Sequence, residues 1–244
     1  MSIIIVRVKK LLIIVLILIL ITGIFLNRSY AYFYNFFNQN RLTASPHEKI
    51  VITGNNSEGR IIKYAAMGDS LTAGVGTADY RDSYPFLLAN KLASENQVEL
   101  INQARAGDNS SEVLAVQLPQ VLSLNPDVVT LLIGTNDIHN LKSLEEFNRN
   151  YTQIVSQLKK TGAKIYLLSI PYLGSSKIVS FPYNFLLDLR TKQFNGVIKK
   201  AAADYGVFFV NLYAINQPAG FYSADQFHPS AEGYKTWAKE INVN

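Results

Sequence analysis

One short apolar run most limits the folds open to this chain of 244 residues. Residues 128–133, Val-Val-Thr-Leu-Leu-Ile, carry no charge, as expected of a central parallel strand that is buried on both faces. Four further strand-like runs lie at residues 61–67, 98–102, 164–170 and 207–210, and helical patterns separate all five. Five strands joined by helical crossovers predict a doubly wound parallel sheet between two helical layers, an α/β fold.

The helical stretches carry their own start and stop signals. Ser83 is suited to cap a helix near residues 83–95, and Ser143 with Glu146 forms a capping box for one near 143–160 that Gly162 stops. Pro119 is expected to bend or end a helix near residues 110–122. Two more helices are predicted near residues 186–205 and 230–241.

The N-terminus has the features of a membrane signal. Residues 11–26 are aliphatic or aromatic apart from Thr22 and Gly23, and basic residues at positions 7, 9 and 10 precede them. This placement of charge favours a cytoplasmic N-terminus with the remainder exported. Six aromatic residues follow, as in an aromatic belt at the outer membrane interface: Tyr30, Tyr32, Phe33, Tyr34, Phe36 and Phe37.

Two fates of this segment remain open. The small residues Ser29 and Ala31 are compatible with cleavage of a signal peptide, whereas the length of the apolar run favours an uncleaved transmembrane anchor. In either case we expect a body that works outside the cytoplasm, anchored to the membrane or secreted. The predicted organisation is a signal segment at 1–27, an aromatic stretch and polar tether at 28–59, and an α/β domain at 60–244.

Composition excludes several classes of function. The chain has no cysteine, which excludes a thiol nucleophile, disulfides and thiolate-bound zinc. Its net charge of +5 is concentrated in the first 31 residues, where four basic residues meet no acidic one. A nearly neutral body offers no phosphate-binding stripe, so we expect no nucleic-acid partner.

Polar motifs follow the predicted strands and therefore share the carboxyl edge of the sheet, where open α/β folds bind ligands. Ser70 of Gly-Asp-Ser-Leu follows the first strand, Gly107 of Gly-Asp-Asn the second, and Asn136 of Gly-Thr-Asn-Asp the third. Asp225 and His228 lie in the loop after the fifth strand. Taken alone, the motifs at Gly107 and Asn136 are more typical of an ordinary turn than of a site, and the motif at Ser70 is equally typical of either. Their occurrence in order, each after its own strand, indicates a site.

A serine nucleophile needs a base, and the chain has three histidines. His228 is favoured because Asp225, three residues earlier, is placed to orient its ring. His139 is the rival base, and His47 lies in the tether. The Ser70 and Gly107 backbone N–H groups and the Asn136 side-chain amide are candidate oxyanion donors. This acyl-transfer chemistry requires no metal or cofactor.

These four motifs resemble the blocks of the SGNH hydrolases, also called the GDSL esterase/lipase family, over about residues 60–240. The resemblance implies a flavodoxin-like strand order 2-1-3-4-5. It also implies Ser70 as nucleophile, His228 as general base, Asp225 as its partner, and Ser70, Gly107 and Asn136 as the oxyanion hole. A serine esterase or lipase is therefore expected, with a binding protein that keeps a vestigial site as the disfavoured alternative.

The natural ester remains open. The aromatic loop at residues 171–185 is compatible with an acyl pocket or with a loop core. The segment at 80–84 is expected beside the site, and its Arg81 is compatible with a phosphate contact or with a surface ion pair. Together with an anchor, the loop favours lysophospholipid-like or other acyl esters. Deacetylation of cell-envelope carbohydrate, or acyl transfer to a glycan by the same triad, is the alternative.

Overall fold

The computed structural model describes residues 2–40, 42–43, 49–53, 60–94, 96–174 and 177–243, with side chains from residue 4 onward. Within them a six-stranded sheet has the order β1-β3-β2-β4-β5-β6. Its strands are β1 (Ile50–Thr53), β2 (Ile61–Gly68), β3 (Gln97–Asn102), β4 (Val128–Leu132), β5 (Lys164–Leu168) and β6 (Phe208–Val210). All neighbouring pairs are parallel except β1 with β3.

The prediction of a five-stranded, all-parallel sheet is therefore wrong in strand count. The five parallel strands do follow the expected order, but β1 adds an antiparallel edge to β3. Strand β1 alternates in burial: Val51 is exposed, while Ile50 and Ile52 pack against the core. An unpaired edge of β3 would leave its backbone hydrogen-bonding groups open, and this short strand satisfies them.

Nine α-helices occur in the described residues, with a π-turn at Val113–Gln117 between α4 and α5 and short 3₁₀ turns at Tyr80–Asp82 and Leu212–Ala214. They are α1 (Ser2–Gln39), α2 (Ser70–Ala73), α3 (Tyr84–Leu92), α4 (Ser110–Glu112), α5 (Leu118–Leu124), α6 (Thr135–His139), α7 (Leu144–Lys159), α8 (Tyr183–Tyr205) and α9 (Ala231–Glu240). Leu88 and Trp237 on α3 and α9 pack on one face of the sheet, and Val121, Ile154 and Phe194 on α5, α7 and α8 on the other.

The central strand β4 is buried on both faces, as its sequence predicts. All of its residues are buried. Val129 and Leu131 belong to one hydrophobic cluster and Val128 and Leu132 to the other. Since side chains alternate across a strand, both helical layers cover this part of the sheet.

Two of the predicted helix signals, Pro119 and the capping box at Ser143, differ in detail in the structure. The predicted bend near Pro119 is a π-turn that ends just before it, closed by a hydrogen bond from Leu118 N to Val113 O. Ser143 caps α7 through Glu146 N at 3.0 Å, whereas the Glu146 carboxylate pairs with Lys142 at 2.7 Å. The second half of the predicted capping box is thus replaced by an ion pair.

Helix α1 runs without a break across the expected boundary at residue 27, so the described aromatic residues 30–37 are helical. Phe33 is only 4% exposed and belongs to the core of the α/β domain. Much of the tether, including His47, lies outside the described residues. By length, hydropathy and charge, no helix of the described chain qualifies as a membrane span, so the expected transmembrane helix is not supported.

Candidate active site

The turn after β2 presents the Ser70 hydroxyl at the carboxyl edge of the sheet. Asp69 caps the short helix α2 by accepting a hydrogen bond from Leu71 N at 3.0 Å, and Ser70 is the first helical residue. Gly68 has φ +155°, and a Cβ there would lie 2.3 Å from the Leu132 carbonyl oxygen. Only glycine fits this close approach of two strands, which fixes the position of the serine that follows.

A continuous hydrogen-bonded chain links Ser70, His228 and Asp225. His228 Nε2 lies 2.8 Å from Ser70 Oγ, and His228 Nδ1 lies 2.5 Å from Asp225 Oδ2. The second Asp225 oxygen, Oδ1, accepts hydrogen bonds from the Phe227 and His228 backbone N–H groups at 2.9 Å and from Ser223 Oγ at 2.8 Å. The carboxylate is thereby fixed in the loop that carries the imidazole.

The environment of Asp225 keeps its carboxyl group ionised. Burial by itself raises the pKa, but the hydrogen bonds and charge of His228 and the backbone donors outweigh it, so the pKa is lowered. An ionised carboxylate on Nδ1 leaves Nε2 free to accept a proton from Ser70. It also stabilises the imidazolium that this transfer produces.

The three candidate oxyanion donors line one cleft with Ser70 and His228. Gly107 follows β3 with φ +96°, a conformation that glycine adopts without strain. Asn136 is the second residue of α6, directly after β4, and its Nδ2 donates one hydrogen bond to Asp108 O at 2.8 Å. This bond fixes the amide and leaves its second N–H available to the cleft.

A glutamine that sequence reasoning missed ties two of these turns together. The Gln117 amide donates to Gly68 O at 2.7 Å and to Asp108 Oδ2 at 2.8 Å, and its Oε1 accepts from Gly68 N at 2.9 Å. The sequence did contain a signal for this role: Gln117 lies four residues from both Val113 and Val121, which places a polar residue on the apolar side of a helix.

Two further contacts join the strand ends. Asn102 Nδ2 donates to Thr72 O at 2.8 Å, which links the end of β3 to α2. Asp137 accepts a hydrogen bond from Ser110 N at 2.9 Å and lies 2.5 Å from Ser110 Oγ. It therefore holds α6 against the start of α4.

The rival base His139 lies in the same cleft in a different role. Its Nδ1 is 2.9 Å from Tyr183 Oη, and its ring stacks on Phe33 with centroids 5.0 Å apart and planes inclined by 8°. Burial lowers its pKa to about 4, so the ring is neutral near pH 7. Among the described residues Ser70 Oγ is bonded to His228 and not to His139.

Neither the described part of the 171–185 loop, for which an acyl pocket and a loop core were both open, nor the 80–84 segment, which was expected beside the site, lines the cleft. In the described part of the 171–185 loop, Leu173, Ile178 and Val179 are buried in the hydrophobic core of the domain and do not line the cleft. The 80–84 segment also lies outside the lining residues, and Arg81 forms the surface ion pair with Asp79. In their place α1 supplies one wall of the cleft, and the residues of this wall are Tyr30, Phe33, Tyr34, Phe37 and Asn38.

The sequence model of the GDSL-like lipase/acylhydrolase family matches residues 66–236, from β2 to α9. The chain belongs to this family. The predicted resemblance to the SGNH hydrolases is thereby confirmed, and the enzyme class is that of an ester hydrolase. Helix α1 lies outside the matched residues.

Relatives of the enzyme support this class. A GDSL-like esterase of Mycobacterium tuberculosis is 28% identical over 176 residues, which are 68% of this chain and 56% of the relative. A spore germination lipase of Bacillus licheniformis is 26% identical over 208 residues, 75% of this chain and 95% of the relative. An arylesterase of Vibrio mimicus is 33% identical over 110 residues, 44% of this chain and 54% of the relative.

Solved structures share the fold. The crystal structure of TesA aligns with a TM-score of 0.62 at 23% identity and covers 73% of this chain and 95% of its own. A lipase/acylhydrolase from Enterococcus faecalis aligns with a TM-score of 0.61 at 26% identity, covering 74% and 93%. These alignments support an SGNH-type α/β fold with a mixed sheet.

Asp69 gives the stability of the enzyme a characteristic pH dependence. Burial and the charges of Asp137 and Asp108 raise its pKa to about 7, and its Oδ2 has no hydrogen-bond partner among the described residues. The folded state therefore keeps a proton that the unfolded state releases near pH 4, so stability falls as pH rises from about 4 to 7.

We expect Asp69→Asn to fold and to remove the decrease in the free energy of unfolding that Asp69 causes as pH rises. This decrease is at most about 1.4 kcal/mol per pH unit. Asparagine can still cap α2 and resembles the protonated acid. Urea unfolding at pH 5, 6 and 7 measures the effect. The same slope in the variant as in the wild type would show that Asp69 is ionised throughout.

Proposed function

We propose that the enzyme hydrolyses carboxylic esters that carry an apolar acyl group, such as lysophospholipid-like esters, through an acyl-serine intermediate. One observation carries this proposal. The hydrogen-bonded chain of Ser70, His228 and Asp225 opens into a cleft whose wall is largely aromatic. Small-molecule sites combine such apolar lining with few polar groups that fix orientation.

The hydrogen-bond geometry assigns each proton. As Ser70 Oγ attacks the ester carbonyl carbon, its proton moves to His228 Nε2, and Asp225 holds the Nδ1–H. The tetrahedral intermediate collapses, the C–O bond to the alcohol breaks, and His228 returns the proton to the leaving alkoxide oxygen. Water then attacks the acyl-serine with His228 again as base, which releases the acid and regenerates Ser70.

Asn136→Ala tests the oxyanion assignment. We expect kcat/KM to fall about 100- to 1,000-fold, mainly in kcat, because one donor aimed at the developing negative charge is lost. Asn148→Ala, on an exposed position of α7, is the matched control and should match the wild type. Steady-state kinetics on p-nitrophenyl butyrate measures both, and a loss confined to KM would contradict the assignment.

The acyl preference tests the substrate class. We expect full-length enzyme, purified in mild detergent, to hydrolyse p-nitrophenyl hexanoate at least tenfold more efficiently than the acetate. A preference for acetate would contradict the proposal and favour the O-acetyl esterase of cell-envelope carbohydrate. Transfer of the acyl group to an added glycan in place of water would identify an acyltransferase.

We also propose that the enzyme is bound to a membrane with its catalytic domain outside the cytoplasm. In support, the aliphatic side chains from Leu11 to Leu20 are each between 43% and 64% exposed, an apolar surface larger than soluble monomers usually present. Three basic residues precede it. Fractionation and protease treatment of intact cells test this. Recovery in the soluble cytoplasmic fraction would contradict it.

A further inference from the structure

One face of α1 is turned toward the catalytic cleft. Tyr30, Phe33, Tyr34 and Phe37 recur at intervals of three and four residues, which places them on one side of the helix. All four line the cleft that contains Ser70 and His228. Tyr32 lies on another side of the helix and is 54% exposed.

Two of these rings contact the catalytic loop directly. The Phe37 ring lies 5.9 Å from the His228 imidazole and 5.4 Å, edge-on, from the Phe227 ring, as measured between centroids. Phe33 lies 5.6 Å from Phe227 and stacks on His139. A substrate at Ser70 therefore lies beside a surface that α1 and the catalytic loop form together.

Specific contacts hold α1 in this position. Ser29 Oγ donates a hydrogen bond to Phe181 O at 2.8 Å, and the Tyr30 ring packs edge-on against Tyr183 at 5.4 Å. Phe33 is buried in the core. The wall is thus a fixed part of the site, although it lies outside residues 66–236 that match the family.

We infer that this face of α1 determines acyl specificity, with Phe33 and Phe37 packing along the acyl chain of the ester bound at Ser70. The inference rests on the proposed function. The cleft has a volume of about 160 Å³, close to that of an engineered protein cavity of about 150 Å³ that binds benzene. A chain of about six carbons fills such a space, whereas an acetyl group leaves most of the aromatic surface uncovered.

The test is the ratio of kcat/KM for p-nitrophenyl hexanoate to that for the acetate, measured on the full chain. In Phe37→Ala and Phe33→Ala we expect this ratio to fall at least tenfold, chiefly through a higher KM for hexanoate. Tyr32→Ala, on the same helix but away from the cleft, is the matched control and should keep the wild-type ratio. Thermal melting establishes that each variant is folded.

The outcomes separate the two proposals. If wild-type enzyme hydrolyses neither ester, the proposed function fails. If it hydrolyses both and folded Phe37→Ala keeps the wild-type ratio, the role of α1 is refuted while the esterase stands. Because Phe37 is only partly buried, we expect Phe37→Ala to fold. It therefore tests the role of α1 in acyl specificity even if Phe33→Ala does not fold. An equal increase in kcat/KM for both esters in Phe37→Ala would show that Phe37 restricts access to the cleft as a lid, and it would also refute a role in acyl specificity.

Discussion

Ser70→Ala is expected to reduce kcat for p-nitrophenyl esters by at least about 10⁴-fold while the protein stays folded. The change removes the hydroxyl that is proposed to form the acyl-enzyme and leaves the oxyanion donors and cleft in place. The alanine occupies the first position of α2, where it loses one hydrogen bond to His228 and no packing. Initial rates at saturating ester, measured beside a thermal melt, give the result.

Ser123→Ala is the matched control for this change. Ser123 is exposed on α5, and among the described residues its hydroxyl bonds only to Gln120 O of the same helix. It should retain full turnover. A Ser70→Ala enzyme that keeps more than a few per cent of wild-type kcat would show that another group is the nucleophile.

His228→Ala should have an effect as large, because no other described side chain can take the Ser70 proton. His228 Nε2 holds the hydrogen bond to Ser70 Oγ and Asp225 holds Nδ1, so the base and its orientation are lost together. We expect kcat to fall at least about 10⁴-fold. Asp225→Asn should also cause a large loss, since an amide can hold the ring in the wrong tautomer.

His139→Ala is the comparison that assigns the base. His139 is neutral, and its Nδ1 bonds to Tyr183. Its loss opens space beside Phe33 and should leave turnover of p-nitrophenyl acetate within about fivefold of wild type. If His139→Ala were the inactive variant and His228→Ala the active one, the two assignments would have to be exchanged.

Local sequence rules were sufficient to predict where the site residues meet. Parallel strands place the residues that follow them at one edge, so Ser70, Gly107 and Asn136 converge by topology alone. The spacing of Asp225 and His228 within one loop is likewise local. The structure places these five residues in one cleft or in direct contact with it.

Features that depend on long-range packing could not be predicted in this way. The aromatic residues after an apolar helix carry the same signal for a lipid interface as for a protein contact, and for Phe33 it is the packing in the domain core that identifies a protein contact. The antiparallel pairing and register of edge strand β1, which is only four residues long, depend on its partner β3. Periodicity can indicate that Gln117 is buried, but it cannot indicate its hydrogen-bond partners, which lie 49 and nine positions away.

The role of Ser70 can be tested most directly by active-site labelling of the full chain with a fluorophosphonate. The structure predicts one adduct per chain, located by peptide mass spectrometry on Ser70, with loss of activity in proportion to labelling. The label should be absent from Ser70→Ala and reduced in His228→Ala. Stoichiometric labelling of a different residue, or full activity after complete labelling of Ser70, would contradict the assignment of Ser70 as the nucleophile.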